Sequence, residues 1–315
     1  MLSSRPNPSR SLRVRPAVRA GLALVLGWAA GLLFASVGLA SEPATGTPEA
    51  APRLISLNPS LTSILVRLGA ASALVGVDDY SARVVPEVAD RPLVGGLFDP
   101  SLEAVVALAP DRVLLVAGVD QEGHAARLAR AGVEVEVFEN DTLGQVFENI
   151  DRLGRLVGRE GEAAARVRSI RAMQEAVAVA TVDRTRPTVI AVVDRSPLYL
   201  VGGGTFLDEM LEDVGAKNLV RSLAPGYPRG SFEWLIAARP ELILDMTPGA
   251  TDASTFWGRW PSLPAVAQGR VVAVPPGRIS LPGPDLDASI RTLAILVHGD
   301  SIEAAIDAAL AASTP

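Results

Sequence analysis

Few residues in this sequence offer chemistry, and their types limit what that chemistry can be. There are three tyrosines, two histidines and no cysteine. Without cysteine there are no disulfides, cysteine–zinc or iron–sulfur sites, thiol nucleophiles or lipidated cysteines. His124 and His298 stand far apart, with no HExxH or His-x-His, so the pattern predicts no bare zinc or manganese site. No GxSxG elbow is present, and no histidine neighbours a candidate serine in a recognisable motif, so nothing supports nucleophilic catalysis. Gly202, Gly203 and Gly204 fall between a strand and a helix, where amides can cradle an anion. The run matches neither GxGxxG nor GxxxxGKS/T, and a tight turn needing positive φ accounts for it more simply.

The remaining candidates are groups that bind rather than react. Residues 101–115 read SLEAVVALAPDRVLL, and residues 231–245 read SFEWLIAARPELILD. At an offset of 130, Ser101/Ser231, Glu103/Glu233, Ala107/Ala237, Pro110/Pro240 and Leu114/Leu244 coincide. Each copy reads as a short helix, a proline that stops it and a buried strand. Glu103 and Glu233 both fall in a helical first turn, where a carboxylate complements the helix dipole. Two such acids on related lobes also suit docking onto a pair of basic residues of a symmetric partner. Arg278, in the loop PPGRISLPGPD together with Asp285, is either a solvated loop charge or a contact for a carboxylate, phosphate or amide-rich ligand. Trp257 and Trp260, three apart in FWGRWP, read as lobe packing.

The elements that must position these groups alternate. Strands are expected at Arg53–Leu57, Leu74–Val77, Val113–Val116 and Val133–Phe138, with helices following Asn58-Pro59-Ser60 and over Gln121–Ala131. These are βαβ units and imply a parallel sheet. Residues 143–180 are rich in Ala, Arg and Glu and free of proline, predicting one helix and then a long one from about Glu160. Strands resume at Thr188–Val193, Tyr199–Val201, Leu242–Asp245 and Val271–Val274, with helices over Phe206–Val214, Phe232–Ala237 and Leu286–Val297. The repeat flanking a long helix predicts two related α/β lobes joined by a strut, and a gap between lobes is a natural small-molecule site. A helical connector also limits lobe motion.

The chain as a whole is 49% hydrophobic and 20% charged, which excludes a disordered protein. Residues 1–40 hold five arginines and no acid, leaving 24 basic against 35 acidic residues in the rest and giving no reason to expect nucleic acid as a partner. The arginines precede an apolar run from Ala20 to Ala40, which reads as an export signal with Gly38 and Ala40 before a cleavage site, or as an uncleaved membrane anchor. A loose linker follows over 41–52.

The segments RLISLNPSLTSILVRLGAASALVGVDDYS, GGLFDPSLEAVVALAPDRVLL and SFEWLIAARPELIL together resemble the periplasmic binding proteins of vitamin B12 and ferric-siderophore ABC importers, with the cobalamin-binding branch closest. The resemblance covers nearly all of residues 53–298. It implies an α/β fold of two Rossmann-like lobes (53–158 and 183–315) joined by a backbone helix (159–182), the class III architecture. It implies a monomer in the periplasm that captures a corrinoid and hands it to an ABC permease dimer with its ATPase, with no intrinsic cofactor. In that family the acids matching Glu103 and Glu233 dock onto permease arginines. Tyr80 and Tyr227 match aromatic walls of the cleft, Tyr199 a third, and Phe98 adds to them. The sequence departs from the branch at Leu97 and Val116, where the cobalamin binder has tryptophans, and at Arg278, which replaces another. A ferric siderophore or haem is the alternative cargo within the superfamily, with Tyr80 the candidate haem ligand. A secreted α/β hydrolase-type enzyme is the alternative of another class.

Overall fold

A computed structural model describes residues 51–248, 252–275 and 277–313. Residues 1–40, read from the sequence as an export signal or anchor, and most of the stretch 41–52 lie outside the described residues. Among those described, no helix is long and apolar enough to cross a membrane.

The first lobe runs through β1 (Leu54–Ser56), α1 (Pro59–Arg67), β2 (Leu74–Val77), α2 (Asp79–Val84), the small hairpin β3 (Gly95–Gly96) and β4 (Asp99–Pro100), α3 (Leu102–Ala107), β5 (Arg112–Val116), α4 (Val119–Arg130) and β6 (Val135–Phe138). Its sheet has the order β2-β1-β5-β6, with every pairing parallel. The strands are near-continuous apolar runs because both faces are covered. Ile55, Val113 and Leu115 pack on one face against Val94, Val105 and Leu128. Leu54, Leu74 and Leu114 face the helices of the other. Asn58 starts α1 by accepting from the Ser60 amide at 2.9 Å, and Pro59 presets the first turn.

Helices α5 (Leu143–Leu156) and α6 (Glu160–Thr181) connect the lobes. A reciprocal capping box opens α5: the Gln145 amide donates to Thr142 Oγ1 at 3.2 Å, and the Thr142 amide to Gln145 Oε1 at 3.0 Å. The 22 residues of α6 span about 33 Å at 1.5 Å per residue. Its close approach to α5 depends on Gly154, where an added Cβ would lie 2.5 Å from Ala163 Cβ.

The second lobe runs through β7 (Thr188–Arg195), β8 (Leu198–Leu200), α7 (Phe206–Asp213), β9 (Lys217–Asn218), α8 (Phe232–Ala238), β10 (Leu242–Asp245), α9 (Ala253–Trp257), α10 (Pro264–Ala267) and β11 (Val271–Ala273). Helices α11 (Leu286–His298) and α12 (Glu303–Ser313) then pack back on α6. The parallel order β9-β7-β10-β11 reproduces β2-β1-β5-β6. The repeat seen in the sequence is therefore architectural, and it reaches the backbone. Ala109 (φ 43°) and Arg239 (φ 50°), 130 residues apart, are the described non-glycine residues with positive φ, and each ends its helix just before the proline. Asp111 accepts from the Arg53 amide, and Glu241 from the Thr188 amide, both at 2.7 Å, so an acid at the same place in each copy ties down the start of the neighbouring strand. The Thr188 bonds hold the Glu241 carboxyl below its usual range.

One apolar core runs unbroken from Leu54 and Leu74 through Ile170 and Val177 of α6 to Val189, Leu244 and Leu293. Three features depart from the sequence expectations. β8 pairs antiparallel with β7, so the second sheet is mixed. Tyr80 lies in the first turn of α2, a six-residue helix absent from the expected elements because it is too short to show periodicity. The alanine-rich α12 buries Ile306 as its one fully covered side chain, and so it carries almost no apolar stripe to read.

Candidate functional site

The carboxyl ends of the two sheets approach each other at both edges. At one edge, the segment after β2 meets the segment after β11. Asp78, buried at the end of β2, accepts from the Tyr80 and Ser81 amides at 3.0 and 2.9 Å and bonds Ser81 Oγ, so it both starts α2 and aims Tyr80. Burial raises the Asp78 carboxyl above its ordinary value, and these hydrogen bonds oppose the rise. Tyr80 is 38% exposed, with the Arg83 guanidinium 5.4 Å from its ring centre. Tyr80 and Val84 line a mostly apolar cavity of about 570 Å³, whose other wall includes Val274, Arg278, Leu281 and Leu296. Tyr80 and Arg278, 198 positions apart in the chain, thus share one hollow between the lobes.

At the other edge, the segment after β6 meets the second lobe. The Asp141 carbonyl accepts from the Phe206 amide, and Glu209 accepts from the Leu143 amide at 2.7 Å. Asp141 also reaches Tyr227 electrostatically: partial burial, and then the Asp141 charge, push the Tyr227 phenol up to about 12. Tyr227 lies in a ribbon paired antiparallel with β8. Tyr199 opposes Arg229, the Leu200 amide donates to Pro228 O at 3.0 Å, and the Gly230 amide donates to Leu198 O at 2.9 Å. With side chains alternating along paired strands, this register puts Tyr199, Tyr227 and Arg229 on one face. Asp141 carries no motif in the sequence; only the packing of the two lobes brings its charge near enough to act on the Tyr227 phenol.

The three glycines before α7 serve this ribbon. The Gly202 amide donates to Gly226 O at 2.7 Å and the Gly203 amide to Ala224 O at 2.9 Å. A Cβ at Gly202 would sit 2.3 Å from Ala224 O, and one at Gly203 2.5 Å from Arg221 O. Positive φ is needed at Gly204 (71°), while the other two are small because backbone crosses backbone. Their amides are spent in pairing and do not form an anion cradle. Gly203→Ala is expected to lower unfolding stability by roughly 1–3 kcal/mol, since a carbonyl cannot move aside as a side-chain end can. Denaturant titration checks this, and an unchanged midpoint would contradict it.

Phe98 is 68% exposed at the tip of the β3–β4 hairpin. His124 fastens this tip. Arg127 Nη2 lies 2.9 Å from His124 Nδ1, and His124 Nε2 lies 3.1 Å from Phe98 O. A guanidinium can only donate, so Nδ1 accepts and Nε2 carries the hydrogen given to Phe98. His298 bonds Val214 O at 2.7 Å; burial, with Arg184 and Arg270 nearby, lowers its pKa. Among the described residues, no three His, Asp or Glu side chains converge as a metal site would require. Asp285 pairs with Arg67 at 2.9 Å, linking α11 to α1. Trp257 is fully buried and donates to Asp245 at 2.6 Å, while Trp260 stacks on Phe232 at 4.7 Å, so both belong to packing.

Glu103 and Glu233 occupy the same place in α3 and α8. The N-cap Ser101 accepts from the Ala104 amide, and Ser231 from the Trp234 amide, each at 3.2 Å. Both acids are exposed, and neither is among the ion pairs of the described residues. Hydrogen bonds from its own backbone amide and from Ser231 hold the Glu233 carboxyl below its usual range.

Two pseudo-equivalent parallel α/β lobes on a helical strut, with a hollow between their strand ends, define a two-lobed binding protein, and the chain belongs to the periplasmic binding protein family, whose model matches residues 54–277. A cobalamin-binding protein of Halobacterium salinarum is 31% identical over 279 residues, covering 84% of this chain and 74% of that protein. The ABC transporter substrate-binding lipoprotein YvrC of Bacillus subtilis is 27% identical, covering 80% and 81%. Among solved structures, the periplasmic heme-binding protein RhuT of Roseiflexus sp. RS-1 superposes with a TM-score of 0.70 at 22% identity, covering 80% of this chain and 100% of that one. The periplasmic vitamin B12 binding protein BtuF of Vibrio cholerae superposes with a TM-score of 0.68 at 19% identity, covering 78% and 96%.

Proposed function

We propose that this chain is an exported solute-binding protein that holds a corrinoid between its lobes and delivers it to an ABC importer. What supports the ligand class is the set of exposed aromatics: Tyr80 lines the hollow between the lobes, and Tyr199 shares a face with Tyr227, whose phenol feels the Asp141 charge from the other lobe. Flat rings suit a flat macrocycle, each adding about 0.5–1.5 kcal/mol beyond the area it covers. A hollow of about 570 Å³ takes one side of such a ligand and leaves the rest to lie toward Tyr227. The relatives named for cobalamin and vitamin B12 support this choice. Binding is non-covalent and needs no intrinsic cofactor. Delivery follows when Glu103 and Glu233 meet cations on the two permease subunits. The protein works as a monomer in the periplasm, whether the first 40 residues are cleaved or remain as an anchor.

Arg278 in the cavity favours a second reading, an anionic iron chelate or haem. Quenching of tryptophan fluorescence by cyanocobalamin, dicyanocobinamide, haemin and a ferric siderophore separates the two. Saturable binding of a corrinoid at micromolar or lower concentration is expected, weakened roughly tenfold in Tyr80→Ala. Binding of haemin or the siderophore with no response to either corrinoid would transfer the function to the second reading.

A further inference from the structure

The surface around the two acids is itself duplicated, and part of it is apolar. In α3, Val105 is fully buried, and in α8 so is its counterpart Leu235; these are the one fully buried position in each helix. Ala104 in α3, and Phe232 and Trp234 in α8, pack partly against the core on the same side, and the residues one turn after each acid face outward. On the outward face, one turn beyond the acid, stands an exposed branched aliphatic residue: Val106 (46% exposed) after Glu103 and Ile236 (38%) after Glu233. Residues three and four apart on a helix are neighbours. Glu103, Val106 and Ala107 hence form one patch, and Glu233, Ile236 and Ala237 its copy, offset by 130 throughout. Isolated exposed aliphatics are ordinary. Two at equivalent places, each beside an unpaired acid and an alanine, are a pattern. The alanine one turn from each acid also leaves the carboxylate open to a long cationic side chain.

Resting on the docking reading, we infer that each lobe docks through an acid and an aliphatic knob together. The occupant is a membrane permease whose two related subunits each present a cation bordered by an apolar socket that receives Val106 or Ile236. Charge complementarity to Glu103 and Glu233 selects the cationic element, and the duplicated aliphatics select the apolar one. The apolar part makes docking less dependent on salt than two exposed ion pairs alone would be, because ions screen charge and not contact area.

The test measures binding of the full-length protein to the purified permease–ATPase complex of its own organism, in lipid nanodiscs, at 0.1 and 0.5 M NaCl. Three forms are compared: wild type, Val106→Thr with Ile236→Thr, and Glu103→Gln with Glu233→Gln. The threonine pair is expected to dock roughly tenfold or more weakly at both salt concentrations and to keep wild-type quenching by dicyanocobinamide. Wild type is expected to retain measurable docking at the higher salt. If the threonine pair docks like wild type while the glutamine pair does not, the apolar knob is refuted and the docking acids stand. If the glutamine pair also docks like wild type, the docking reading itself falls.

Discussion

Reversing both first-turn acids, Glu103→Arg with Glu233→Arg, is expected to abolish uptake of the ligand by cells that depend on this protein, while dicyanocobinamide affinity stays within about twofold of wild type. The split follows from the geometry. Both acids are exposed and neither lines the inter-lobe cavity, so ligand contacts are untouched. The helix starts also survive, because Ser101 and Ser231, not the glutamates, cap them. Placing two cations against a cationic receiver converts attraction into repulsion at both lobes at once, and like-charge contacts across an interface are strongly disfavoured. If uptake persists in the double variant, the acids serve only their helix dipoles and the docking account fails.

The largest expected effect on stability comes from Asp245→Ala. Asp245 is buried at the end of β10, where it accepts from Arg195 Nε at 2.7 Å and from Trp257 Nε1 at 2.6 Å. Arg195 in turn covers the Phe256 ring, 4.6 Å from its centre. Removing the carboxylate takes the anionic partner from a buried guanidinium and the acceptor from a buried indole. Breaking one side of a buried pair costs about 3–5 kcal/mol, against a whole-protein stability of about 5–15 kcal/mol. Denaturant titration followed by tryptophan fluorescence should show a loss in that range. A loss under about 1 kcal/mol would mean that Asp245 does not hold this lobe together.

The two copies show what the sequence reveals and where it stops. Leu114 and Leu244 match, as do the prolines and the acids, because the same strand and the same helix stop recur in each lobe. One position further on, Leu115 of the first copy corresponds to Asp245 of the second, and the repeat does not say why they differ. The first lobe fills that place with an aliphatic core residue, whereas the second builds an ion pair roofed by aromatics. The long helix over 160–181 was legible from alanine, charge and the lack of proline, and its start at Glu160 agrees with the sequence expectation. α2 was not, because Asp78 caps a helix too short for periodicity. The site was legible as a set of residue types and opaque as an arrangement. Tyr80 and Arg278 line one hollow, and the Asp141 charge acts on Tyr227, only because one lobe packs on the other, and no local pattern encodes either arrangement. His124 carried no motif because its role is to fasten Phe98 through a main-chain carbonyl.

The central claim is that the gap between two equivalent lobes is the ligand site, and a crystal structure of the protein grown with dicyanocobinamide tests it most directly. The corrin ring is expected to span the gap, touching Tyr80 and Arg278 on one side and Tyr227 on the other. A ring bound to one lobe alone, or away from the strand ends, would contradict the account.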